Sequence, residues 1–212
     1  QHSDRTLTHE AYQALGGAAG ALAKRAEELV HEQDDPGQEI IRQMYLRLVT
    51  LGEGLEDTRR RVPRSELLAV AGDEDRMDEA IDTYAAYRLL TLDHDPVTRS
   101  PTVEIAHEAI LREWKRLRDW LRESRDDIRQ QRVLATVAAE WFQAEKDPSY
   151  LMRGARLEQF AEWAAQTQLA LTPKEQEFLD TSITEHQRQD DAEQERQQRE
   201  LETQRQLAEQ RQ

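Results

Sequence analysis

The stretch Thr102-Val103-Glu104-Ile105-Ala106-His107-Glu108-Ala109-Ile110-Leu111-Arg112-Glu113-Trp114 changes its hydrophobic period in the middle. Val103 and Ile105 alternate with polar neighbours, as a half-buried strand does. Ile110, Trp114, Leu117 and Leu121 then recur at helical spacing. A short strand therefore runs straight into an amphipathic helix. His107 continues the Val103/Ile105 face and sits at the joint. A ring held between a strand and the first turn of a helix can be aimed with little freedom.

Most of the remaining pattern is helical. Residues 8–33 read as one or two Ala-rich helices with Leu15, Leu22, Ala26 and Leu29 as the apolar stripe. Asp35-Pro36-Gly37-Gln38 is a helix start, with Asp35 as the cap. Ile40, Ile41, Met44, Tyr45, Leu48 and Val49 follow on its apolar side. Pro63 opens a short helix that Gly72 ends, and a third helix is predicted over 74–87. Strand Leu89–Leu92, a turn-rich loop and strand Thr102–Ala106 complete a hairpin. Three helices and a hairpin in this order make a winged helix. From Leu111 the pattern is helical again, with a break at Asp147-Pro148. Thr172-Pro173-Lys174-Glu175 is a capping box that launches a last helix. Residues 184–212 carry only Ala192, Leu201, Leu207 and Ala208 as apolar residues, too few for a heptad seam. They read as a solvated helix or a frayed linker.

Several classes of function are disfavoured. The net charge is −14, from 43 acids against 29 bases, so general attraction to phosphate backbones has the wrong sign. A winged helix that reads DNA would insert its third helix into the major groove. Here that segment, Asp73-Glu74-Asp75-Arg76-Met77-Asp78-Glu79-Ala80-Ile81-Asp82, sets six acids against one arginine. Arg59-Arg60-Arg61 is the only basic run pointing the other way, and such a run is more often solvated or salt-bridged. The absence of cysteine excludes disulfides and thiolate metal sites. The histidines at 2, 9, 31, 94, 107 and 186 show no metal-ligand pairing. No Gly-x-x-x-x-Gly-Lys-Ser/Thr loop occurs, so Leu89-Leu90-Thr91-Leu92-Asp93 reads as a hairpin strand with an exposed acid rather than a Walker B site. Gly16-Gly17 and Gly20 have no preceding strand and read as a helix kink or a close helix approach. Tryptophans 114, 120, 141 and 163 lie on helical faces and read as core. Arg153 and Arg156 could bind anions, but pairing with local acids is the simpler expectation. No apolar run reaches the length of a membrane span, and no signal peptide opens the chain, so a cytoplasmic setting is expected.

Leu7-Thr8 to Gly20-Ala21-Leu22, Arg47 to Gly54 with Glu56 to Pro63, and Asp147 to Leu151 with Arg153 to Leu157 together resemble bacterial novel STAND NTPases, signalling ATPases of the AAA+ class. The likeness spans roughly residues 5–183. It implies a bacterial signal-transduction protein that is often followed by a WD-repeat β-propeller. In the best-known relatives a Met-His-Asp triplet after an apolar strand senses the diphosphate state. Here the triplet is Ala106-His107-Glu108, and only the histidine is matched strictly. On spacing alone a structural histidine is the better reading; the resemblance implies instead a diphosphate-sensing His107.

The resulting expectation is a mainly α chain, a winged helix flanked by helical segments and ending in a long polar helix. Its divisions are 1–36, the end of an NTPase-associated helical region; 37–123, the winged helix; 124–183, a helical domain; and 184–212, a polar linker. Such a chain is a piece of a longer protein and not an enzyme by itself. The resemblance places ATP or ADP with Mg in an upstream ATPase core, over which the winged helix closes. It also implies self-association on activation, a downstream sensor such as a propeller, and no nucleic-acid partner. The rivals are a DNA-binding winged-helix regulator with a dimerising helical tail, and a helical scaffold without nucleotide-dependent contacts. Because one histidine cannot cradle a triphosphate, the 212-residue chain alone is expected not to hydrolyse ATP or bind it tightly. Titration calorimetry checks this, and micromolar affinity would contradict it.

Overall fold

The computed structural model describes residues 17–209. Among the described residues the chain is mainly helical, as expected from its sequence, with two small antiparallel sheets, of which the sequence pattern predicts only the hairpin. Leu15, Gly16 and the rest of the first third of the predicted 8–33 helix lie outside the described residues. Helix α1 spans Gly17–His31 and buries Ala23, Ala26, Leu29 and Val30. Leu22 is only half-buried.

Helix α2, Asp35–Arg47, starts one residue earlier in its logic than the sequence reading had it. The cap is Asp34, not Asp35: the Asp34 Oδ1 accepts the Gly37 N–H at 3.0 Å. Two consecutive aspartates compete for this role. The one with extended backbone (ψ 171°) wins, and Asp35 enters the first turn. The Arg76 guanidinium beside Asp34 and the Gly37 amide hold its carboxyl below the usual carboxylate range. Ile41, Met44, Tyr45 and Leu46 form the fully buried face of α2.

Strands β1 (Val49–Thr50) and β2 (Thr58–Arg59) then pair with each other. Strand β3 (Val62–Pro63) leads into α3 (Arg64–Ala69), and α4 (Glu74–Ala86) follows. Asp73 caps α4 by accepting the Arg76 N–H at 3.1 Å. The hairpin strands are β4 (Leu90–His94) and β5 (Pro101–Ile105). Their sheet has the order β3-β5-β4, with Leu90 opposite Ile105 and Val62 opposite Val103. Val62, Val103, Ile105 and Leu90 point inward, against Met77, Ile81 and Leu67 from the helices.

Beyond the hairpin, the helical pattern from Leu111 proves to be three helices: α5 (Ala109–Glu113), α6 (Lys115–Glu123) and α7 (Arg125–Gln143). Trp114 breaks the first junction, with extended backbone at φ −81° and ψ 101°. Its indole is 2% exposed, packs edge-on against Tyr45 and Trp120, and donates to Glu27 Oε2 at 2.8 Å. Arg116 reaches the same carboxylate through Nε and Nη2. These bonds, the arginine's first, hold the Glu27 carboxyl below its ordinary range. Ser124 marks the second junction; its buried hydroxyl accepts from Arg42 at 2.7 Å.

The contacts divide the chain into two compact units, Gln1–Gln131 and Arg132–Gln212. In the second, the later part of α7, a 3₁₀ turn at Pro148–Tyr150, α8 (Gly154–Gln166) and α9 (Pro173–Glu209) share a core. Leu134, Trp141, Leu157, Phe160 and Phe178 form its centre. Trp120 and Trp163 are half-buried, so the tryptophans serve the cores to different degrees. The predicted capping box is present in both directions: Thr172 Oγ1 accepts from Glu175 N at 3.2 Å and Glu175 Oε2 from Thr172 N at 2.8 Å.

Helix α9 runs on for 37 residues, about 55 Å at 1.5 Å per residue. Past His186 the side chains are exposed, and Leu201 and Leu207 are at least half in solvent. The helix is held locally by pairs such as Glu185–Arg188 and Glu195–Arg199, each worth a few tenths of a kcal/mol. Among the described residues no helix is long and apolar enough to cross a membrane. Truncation after His186 is expected to lower the helical circular-dichroism signal while shifting the melting temperature by less than about 2 °C, because almost no apolar area is lost. A drop of several degrees would show that the tail packs against something.

Candidate functional site

The strand–helix joint is built by bonds that fix the backbone on both sides of His107. Ala106 N–H donates to Leu89 O at 3.0 Å, tying the end of β5 to the start of the hairpin. The His107 carbonyl accepts from Ile110 N and the Glu108 carbonyl from Leu111 N, both at 3.0 Å, which winds the first turn of α5. Arg59 Nη1 donates to the carbonyls of Ile105 (3.1 Å) and Ala106 (3.2 Å). The same guanidinium lies 3.6 Å from Glu104 and 4.0 Å from Glu108.

The sequence pattern put the His107 ring on the buried Val103/Ile105 face. The structure puts it in solvent. The alternation ends with β5 at Ile105, and Ala106 bends the chain, so the two-residue period no longer decides which way the next side chain points. Among the described residues the imidazole has no hydrogen-bond or ion-pair partner. It is an available donor or acceptor on a backbone that is held in place. Glu108, 56% exposed, does not cap α5 through its side chain.

A second rigid feature flanks this joint. The loop between β1 and β2 is clamped by Asp57, whose Oδ1 accepts the Gly52 N–H at 2.8 Å. Arg125 binds both oxygens of Asp57 at 3.1 Å and the Gly52 carbonyl at 2.6 Å. A Cβ on Gly52 would meet the carbonyl oxygens of Leu55 and Glu56 well inside van der Waals contact. The clamp presents Leu55 at 83% exposure, and Glu56 reaches Arg112 on α5 at 3.7 Å. Glu56 thus ties the clamped loop to α5, the helix that follows His107 and Glu108.

The other candidates resolve structurally. Arg59-Arg60-Arg61 is a salt-bridged run: Arg60 pairs with Glu66 at 3.0 Å, and Arg61 with Glu104 at 3.4 Å and Asp93 at 3.5 Å. Asp78 and Asp82 of the acidic helix hold Arg64 at 2.7 and 2.8 Å. Arg153 donates to the Pro148 carbonyl at 3.1 Å, while Arg156 lies over the Phe160 ring rather than on an acid. Gly20 is an interior residue of α1 and lines an open groove of about 650 Å³ with Glu27, Trp114, Arg116 and Trp120, where acids and bases neutralise one another. His2 and His9 lie outside the described residues. Among the described residues no three His, Cys, Asp or Glu side chains gather as a metal site. These residues do not fit a nucleotide with its magnesium as a complete site: the sequence has no phosphate loop, the described residues gather no carboxylate cluster, and His107 supplies a single donor. The sequence reading missed the part played by Arg59, whose targets lie 46 and 47 residues away in the chain.

Fold and joint together define a helical module that presents one unpartnered histidine from a fixed strand–helix corner. The chain belongs to the Novel STAND NTPase 1 family, whose profile matches residues 1–149, more than half of its length. No curated protein and no solved structure matches the chain. The clamp beside the joint makes a sharp forecast. Gly52→Ala is expected to destabilise the protein by about 1–3 kcal/mol through overpacking against backbone, or to displace the Leu55 loop. Urea denaturation measures the first and amide chemical shifts of residues 51–57 the second; no change in either would contradict the geometry.

Proposed function

We propose that the hairpin-bearing part of this chain is the winged helix of a STAND signalling ATPase and that it acts as a nucleotide-state switch. In this reading a nucleotide-binding core elsewhere in the parent protein holds ADP. The surface around His107 closes over it, and the imidazole donates to the diphosphate. ATP in place of ADP alters that contact and frees the module, which promotes self-association. The long polar helix α9 couples this movement to a further domain, such as a sensor propeller. Differential contact in two states is what a switch requires. The ATP or ADP and its Mg belong to the core, and this chain contributes recognition rather than chemistry.

The observation that carries the reading is the exposed, partnerless imidazole on an immobilised joint. A histidine kept for packing would be buried among apolar neighbours or bonded to a carbonyl. Membership of the Novel STAND NTPase 1 family supports the choice of a nucleotide as the missing partner. DNA reading finds no support in α4, whose carboxylates face solvent or local arginines.

His107→Ala is expected to leave this chain as stable as the wild type, within about 0.5 kcal/mol, since the ring is exposed and unbonded. In the parent protein the same change should accelerate release of a fluorescent ADP analogue by one to two decades. That follows from losing a charge-assisted bond of about 1.5–3 kcal/mol. Equal release rates from a well-folded variant would make His107 an ordinary surface residue.

A further inference from the structure

We infer that Arg59 is the positioning residue for His107: its guanidinium is the bolt that fixes the strand–helix joint from the side where the sheet has run out. The inference rests on the nucleotide-switch reading only for its effect on ADP. Its structural content stands on the joint itself.

Strand β3 is two residues long and pairs with β5 only at Thr102 and Val103. Past Val103, that side of β5 has no further strand partner among the described residues, yet the segment from Glu104 to Ala106 leads into the histidine. Arg59 takes over there. Its Nη1 binds the Ile105 and Ala106 carbonyls, the last two before His107. Glu104 and Glu108, one on each side of the histidine, lie 3.6 and 4.0 Å from the guanidinium and supply the opposite charge. The arginine is itself anchored, because it pairs with Val49 in the β1–β2 ladder and Val49 is fully buried. An unbroken path of bonds thus runs from the α2 core through β1 and β2 to the joint.

A surface ion pair alone would contribute little here. The carbonyl bonds are different in kind: they restrain backbone, and backbone direction at Ala106 decides where the His107 ring points. Arg59 needs no contact with a ligand to govern this site.

Amide hydrogen exchange on the full chain tests the structural half. In Arg59→Met the amides of Ala106, Ile110 and Leu111 should exchange at least about tenfold faster, the loss expected for one charge-assisted bond, while Ile81 in α4 is unchanged. Arg59→Lys keeps the charge without the planar fork and should lose part of the protection. It carries the same comparison if the methionine variant does not fold. Unchanged protection at 106–111 in either folded variant overturns the inference. In the parent protein, release of the fluorescent ADP analogue should be faster in Arg59→Met and in His107→Ala. The double variant should be no faster than the faster single one, because both remove the same contact. Multiplying effects would show that Arg59 acts independently of His107 and would overturn its positioning role. If His107→Ala leaves release unchanged, the nucleotide reading fails, and the exchange comparison still decides what Arg59 does.

Discussion

Trp114 holds the first compact unit together at the point where its helices change direction. Its indole is buried beside Tyr45 of α2 and meets Trp120 of α6, while its N–H is satisfied by Glu27 of α1. A buried indole N–H without a partner costs about 1–3 kcal/mol, a cost that the bond to Glu27 removes for Trp114. Arg116 then secures Glu27 through two nitrogens. The depressed Glu27 carboxyl adds stability that is present above its unfolded titration range and fades as pH falls through the lower folded value. Trp114 also ends α5, since its own backbone is extended between α5 and α6.

Legibility in the sequence followed range. The Thr172/Glu175 capping box could be read because both partners lie within one helical turn. The hairpin and α4 were readable from alternation and from the acidic start of a helix. The Asp34 cap was misplaced by one residue because adjacent aspartates look alike until the backbone chooses between them. Strands β1 and β2, two residues each, are too short to carry a period. The breaks at Trp114 and Ser124 could not be read, since each depends on a partner about 80 residues away, Glu27 and Arg42.

The candidate site shows the same division. The period change marked the joint, and resemblance marked the histidine. Extending the strand alternation by one step put the ring inside, whereas the bend at Ala106 puts it outside. The arginine run reads as solvated or salt-bridged, and the fold makes it salt-bridged, but nothing local distinguishes Arg59 from Arg60 and Arg61. Only the fold brings Arg59 to the carbonyls of Ile105 and Ala106. A fixed corner, an exposed imidazole and a clamped loop bearing Leu55 lie in the first unit, while the later turns of α9 are solvated.

The central claim is that this corner faces a diphosphate in the assembled protein. A structure of the parent protein with ADP bound tests it most directly. The account predicts a ring nitrogen of His107 within hydrogen-bond distance, about 2.7–3.2 Å, of a phosphate oxygen, with the Arg59 bonds to Ile105 and Ala106 retained. An ordered ADP with its phosphates fully satisfied by other residues, and His107 still in solvent, would contradict it.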